Sequence, residues 1–162
     1  MCVERKWPVP RALLAFALTL TLTLAALADP PPPTEATLER QVLDLVNGHR
    51  MARGLPALAP DARIAREARR HSADMARGAT RFGHTGFADR IAALRRVMTC
   101  GASAENVASS VGADDPAPDI LRGWLASTGH RQSMEGPYDT TGVGVARSPS
   151  GKLFYTQIFC DR

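Results

Sequence analysis

The carboxy-terminal stretch constrains the fold more than any other. Thr141–Ala146 and Lys152–Cys160 both read as strands, and Ser148-Pro149-Ser150-Gly151 between them has the composition of a tight turn. Strands joined so closely pair antiparallel. In the second strand Leu153, Tyr155, Gln157 and Phe159 face one way, and Phe154, Thr156, Ile158 and Cys160 the other. A lone hairpin is marginal in water, so the preceding chain must cover it.

That preceding chain is mostly helical in its spacing. Thr34 and Thr37 are candidate N-caps for a helix carrying Leu38, Val42, Leu45, Val46 and His49 on one side, ending near Arg53-Gly54. Asn47 and Arg50 on this helix are read as solvent contacts or bonds to a neighbouring loop. Pro60-Asp61 opens a second helix with an inward stripe of Ile64, Ala65, Ala68, Ser72, Met75 and Ala76, stopped by Gly78. His71 on it reads as a packed or hydrogen-bonded residue. Arg81–Phe87 is a glycine-punctuated loop presenting His84, with Phe82 and Phe87 expected to anchor it on the core. Helical spacing returns over Ala88–Val97, and Glu105–Ser110 has the small and β-branched residues of a short strand. A further helix runs from Pro118 to Thr128-Gly129, which sets His130 just past a helix C-terminus, where partial negative charge favours an imidazolium or a cation. Gln132–Asp139 reads as irregular. Helices first, one strand between them and a closing hairpin make an α+β domain with a small antiparallel sheet covered by helices.

The amino terminus reads as a targeting signal. Met1–Arg11 is basic, Ala12–Ala28 is apolar apart from three threonines, and Ala26-Leu27-Ala28 supplies small residues for cleavage before Asp29. The expected organisation is a signal peptide over residues 1–28, a proline-rich spacer over 29–36 and one domain over 37–162; the alternative is a leader retained as a membrane anchor. Removing three of 20 basic and one of 16 acidic residues leaves 17 and 15, so the formal charge falls from +4 to +2. The arginines are scattered, with no basic patch interleaved with aromatics, so nucleic acid is not an expected partner. Cleavage also removes Cys2, leaving Cys100 and Cys160. In an exported chain this pair is most simply one disulfide, which the chain-entropy view values at roughly 4 kcal/mol. Two buried free thiols are the other possibility.

Chemistry concentrates at three segments: Phe82-Gly83-His84-Thr85-Gly86, Ser103-Ala104-Glu105-Asn106-Val107 and Ser127-Thr128-Gly129-His130-Arg131. Two imidazoles and one carboxylate with a water would suit a tetrahedral zinc ion, so His84, Glu105 and His130 are the candidate ligands. No cofactor is required otherwise. The simpler alternative is that both histidines hydrogen-bond Glu105 and fix three loops around the sheet. Ser72, Ser127 and Ser133 lie near histidines in sequence, yet none sits in a Gly-x-Ser-x-Gly elbow. If the chain is an enzyme, the expected activity is metal-assisted hydrolysis or proteolysis with Glu105 as base.

Several segments, in this order, resemble the CAP superfamily of cysteine-rich secretory proteins, antigen 5 and plant pathogenesis-related group 1 proteins, and in particular its short bacterial secreted members. They are Leu45-Val46-Asn47 with Arg50, Gly54-Leu55 and Leu58; Ala68 with His71-Ser72-Ala73-Asp74-Met75-Ala76; the His84 segment; Ala104-Glu105-Asn106-Val107-Ala108; Gly123-Trp124-Leu125 with Ser127 and Gly129-His130-Arg131; Gly142-Val143-Gly144-Val145-Ala146; and Tyr155-Thr156-Gln157-Ile158-Phe159. The resemblance spans roughly Leu38–Phe159. It implies a three-layer α-β-α sandwich with a central antiparallel sheet, and a cleft of histidines and acidic residues that holds zinc or another divalent ion in some members. His84 matches the first family histidine and Glu105 the glutamate of Gly-Glu-Asn, here preceded by Ala104. Phe154 stands where the animal and plant pattern has its second histidine, and the bacterial pattern supplies His130 instead. No clear counterpart of the second acidic residue follows Trp124. The expected groove set is therefore His84, Glu105, His130, Asn106 and Gln157. The expected function is an exported monomeric binding module, periplasmic or extracellular, for a lipid, glycan or peptide of the envelope or medium.

Overall fold

The structure, a computed structural model, describes residues 31–162. The expected leader and the first spacer residues lie outside the described residues.

Helix α1 (Glu35–Ala52) starts where Thr34 accepts the Thr37 N–H on its hydroxyl, at 3.2 Å, and ends before Gly54 at φ 72°. Leu38, Val42 and Val46, four residues apart, point into the core. After the two-residue strand β1 (Ala59–Pro60), Asp61 caps helix α2 (Ala62–Ala76), accepting from Arg63 N–H at 2.8 Å. Ile64, Ala68, His71, Ser72 and Met75 form its buried stripe. Helix α3 (Phe87–Arg95), strand β2 (Ser103–Ser110), helices α4 (Pro116–Ala126) and α5 (Thr128–Glu135), and strands β3 (Thr140–Arg147) and β4 (Leu153–Cys160) follow.

The sheet order is β1-β3-β4-β2. β4 is antiparallel to both neighbours, and all eight of its residues are buried. A strand covered on both faces needs apolar residues at both phases of its alternation, and β4 has them. Leu153, Tyr155 and Phe159 join the core under α1, α4 and α5, while Ile158 and Cys160 join the core under α2 and α3. This is the expected three-layer sandwich. The parallel pairing of β1 with β3 at Ala59↔Thr140 and Pro60↔Thr141 was not expected, because two residues carry no alternation. Pro60, having no N–H, is tolerated there because β1 is the edge strand.

α2 lies directly on β3. A β-carbon at Gly142 would overlap the α2 backbone at Ala65, and one at Gly144 the backbone at Arg69. The Cys100–Cys160 disulfide forms, with 5.1 Å between α-carbons, tying the segment before β2 to the end of β4. Backbone bonds from Gly101 N–H to Asp161 O (2.8 Å) and from Asp161 N–H to Ala102 O (3.0 Å) extend that closure.

Three expectations need correction. The chain from Gln132 onward is not irregular at first, because α5 continues to Glu135. His130 is consequently in the first turn of α5 rather than beyond a helix C-terminus. Gly129, read as a stop, lies inside the helix instead of adopting the positive φ that ends one, and Arg131 N–H reaches Ser127 O at 2.9 Å to begin the new helix. Phe82 is also not a core anchor: it is 56 % exposed and tilts against Phe154 with 6.3 Å between ring centroids.

Candidate histidine cleft at the β2 edge

The site is built from the buried outward. His71, on the inward stripe of α2, is placed within 2.8 Å of the Gly83 carbonyl through Nε2. A carbonyl only accepts, so Nε2 carries the hydrogen and Nδ1 is left as an acceptor. That acceptor meets Arg90 Nη1 at 3.1 Å, and the same Nη1 donates to Thr85 O at 2.8 Å. Burial pushes the His71 pKa down, and the nearby Arg90 charge pushes the same way, which agrees with a neutral ring.

Arg90 passes the geometry on to Glu105. Nε donates to Oε2 at 2.9 Å and Nη2 to Oε1 at 2.8 Å, a two-pronged pair with side-chain exposures of 7 % and 1 %. The remaining reach of the carboxylate goes to His84, whose Nδ1 stands 3.0 Å from Oε1. An ionised carboxylate only accepts, so Nδ1 of His84 carries the hydrogen and Nε2 is turned away from Glu105. The His84 side chain is 51 % exposed. A chain of bonds thus runs from Gly83 through His71, Arg90 and Glu105 to His84, starting and ending on one glycine-punctuated loop.

His130 approaches from the other helical layer. Its ring lies 6.3 Å from that of His84, tilted by 51°, and 6.5 Å from that of Trp124. The Trp124 indole N–H donates to Val107 O at 3.2 Å, which fixes α4 against β2. Burial lowers the His130 pKa, and the neighbouring His84 acts in the same direction. The N-terminal turn of α5 acts in the same sense, opposite to the effect expected of a helix C-terminus. These effects favour the neutral imidazole at His130, the form suited to accepting a hydrogen bond or binding a cation.

The expected groove residues divide by face. Glu105 lies on the α2/α3 face of β2 and reaches His84 there, and His130 meets His84 at the sheet edge. Asn106, the next residue along the strand, points to the opposite face, and its register partner Gln157 points with it. Both are 0 % exposed. Asn106 donates to the His130 carbonyl at 3.0 Å and Gln157 to Thr141 Oγ1 at 3.1 Å. Arg90 was missed by sequence reasoning. Its signal was an arginine on the same helical stripe as Ile91 and Leu94, a place where a charge requires a buried partner.

Among the described residues, no group of three His, Cys, Asp or Glu side chains is placed to hold a metal ion. The cleft supplies two imidazoles, with Glu105 behind one of them. Grooves lie elsewhere, among them one of about 410 Å³ between α1 and α2 beside β3 and one of about 640 Å³ between α1 and α4; none of the five expected residues lines either.

Comparison with known proteins agrees with this architecture. The family model described as "CAP: Cysteine-rich secretory protein family" matches residues 43–159. A relative from Bacillus subtilis, described as the uncharacterized membrane protein YlbC, is 34 % identical over 134 residues, 79 % of this chain and 36 % of that protein. The crystal structure of an extracellular protein containing an SCP domain from Bacillus anthracis gives a TM-score of 0.67 at 31 % identity, covering 82 % of this chain and 45 % of that one. An outer surface protein from Borrelia burgdorferi gives 0.69 at 16 % identity, covering 80 % and 96 %, a likeness of fold alone. The chain spans about a third of the Bacillus subtilis relative and less than half of the Bacillus anthracis chain.

Proposed function

Because the chain belongs to the cysteine-rich secretory protein family, we propose that it is an exported binding module whose His84–His130 cleft takes a divalent cation or a polar group of an extracellular ligand. One observation supports the reading: the buried Arg90–Glu105 pair holds His84 by Nδ1, which leaves Nε2 free of Glu105, and the His130 ring lies 6.3 Å from that of His84. A carboxylate behind a histidine is the arrangement that orients an imidazole towards a metal and raises its basicity. The donor set fits a cation with two imidazole ligands from the protein, the other positions falling to water or to the ligand itself. Export is supported by the leader pattern and by the disulfide, which persists in oxidising compartments.

Glu105 has the part of orienting His84 rather than of attacking water, since both its oxygens are engaged. This favours binding over hydrolysis. The test is calorimetric titration of zinc into the wild type, His84→Ala and His130→Ala. Wild type binds, and each variant loses at least about tenfold in affinity, the scale on which metal-site partners act. Equal affinity in all three would refute the reading. A fluorogenic-peptide and ester screen of zinc-loaded protein is expected to show no turnover that Glu105→Gln abolishes.

A further inference from the structure

Asn106 and Gln157 pose a problem that the protein alone does not solve. They are opposed across β2 and β4, so their β-carbons stand within about 4.5–5.5 Å of each other. The Asn106 amide nitrogen donates to the His130 carbonyl, which only accepts. The Gln157 amide nitrogen donates to Thr141 Oγ1, whose own hydrogen goes to Ile158 O at 2.8 Å. Each amide is thereby fixed in orientation. Asn106 Oδ1 and Gln157 Oε1 remain, two buried acceptors with no donor among the described residues. Unpaired buried acceptors are costly. A single water offers two O–H donors and answers both.

We propose that Asn106 and Gln157 share one buried water, and that this bridge, through the bond from Asn106 to the His130 carbonyl, makes both side chains positioning residues for His130. The water site stands on the sheet geometry alone; only its consequence for ligand binding rests on the cleft reading. Between the sheet and α5 it would link β4, β2 and the first turn of α5. The far end of α5 is held separately, by Arg50 donating to Met134 O at 2.7 Å and Gly136 O at 2.9 Å.

Three measurements test this. A high-resolution crystal structure of the wild type is expected to show one water within hydrogen-bonding distance of both oxygens. No density there, or a peak with the short multiple oxygen contacts of a bound ion, would overturn it. Urea unfolding of Asn106→Leu, Gln157→Met and the double variant is expected to be non-additive. Each single change lowers the folding constant about tenfold, and the pair lowers it far less than the product; a full product contradicts a shared water. Imidazole ¹⁵N spectra of Gln157→Met are expected to move the His130 signals and leave His49 unmoved. Unchanged His130 signals refute the positioning role, whether or not zinc binds.

Discussion

Replacing Arg90 with methionine removes the charge that the Glu105 carboxylate faces and keeps most of the apolar stem. Glu105 has a side-chain exposure of 1 %, so water cannot take over from the guanidinium. Two N–H donors to the carboxylate vanish together, along with the donors to Thr85 O and His71 Nδ1. Breaking one side of a buried ion pair costs about 3–5 kcal/mol, against a typical total stability of about 5–15 kcal/mol. An exposed pair such as Arg147–Glu35 contributes little by comparison. Arg90→Met is therefore expected to lower the urea midpoint sharply at neutral pH, read by far-ultraviolet circular dichroism. Adding Glu105→Leu removes the stranded charge and is expected to recover much of the loss. A loss below about 1 kcal/mol for Arg90→Met, or a double variant less stable than the single, would refute the argument.

Two other perturbations follow from the same structure. Reduction of Cys100–Cys160, or the paired serine substitution, is expected to cost about 4 kcal/mol by urea unfolding; a loss under about 1 kcal/mol would show that the closure stabilises little. His71 and His130 both have pKa values lowered chiefly by burial, so below the ordinary histidine value of about 6.5 the unfolded chain binds more protons than the folded one. Stability is expected to be full above that value and to fall as the pH drops through it, with a shallower fall in His71→Gln; a gain on acidification over that window would contradict both placements.

Much of the frame was legible because it rests on local rules. The Thr34 and Asp61 caps, the Gly54 and Gly78 stops and the two-phase alternation of β4 each have a signature within a few residues. β1 had none, being only two residues held by Asp139 O and Thr141 O. α5 was hidden because Ser127-Thr128-Gly129 reads equally as an ending and as a beginning. At the site, the structure pairs His84 with Glu105 and brings His130 beside His84, but it does not join Glu105 to His130. The face on which each side chain lies was not used: neighbours in a strand alternate, which places Asn106 under α5 while Glu105 turns to α3. Arg90 and His71 were invisible as a pair, since their meeting depends on α2 and α3 packing on the same side of β2.

The tautomer of His84 bears most directly on how the cleft works. Long-range ¹H–¹⁵N correlation spectra of the imidazoles, recorded at roughly pH 8 where ordinary histidines are neutral, report which ring nitrogen carries the hydrogen. The Arg90–Glu105 scaffold predicts Nδ1–H at His84 with an unprotonated Nε2, lost on Glu105→Leu. An Nε2–H tautomer at His84 in the wild type would contradict it.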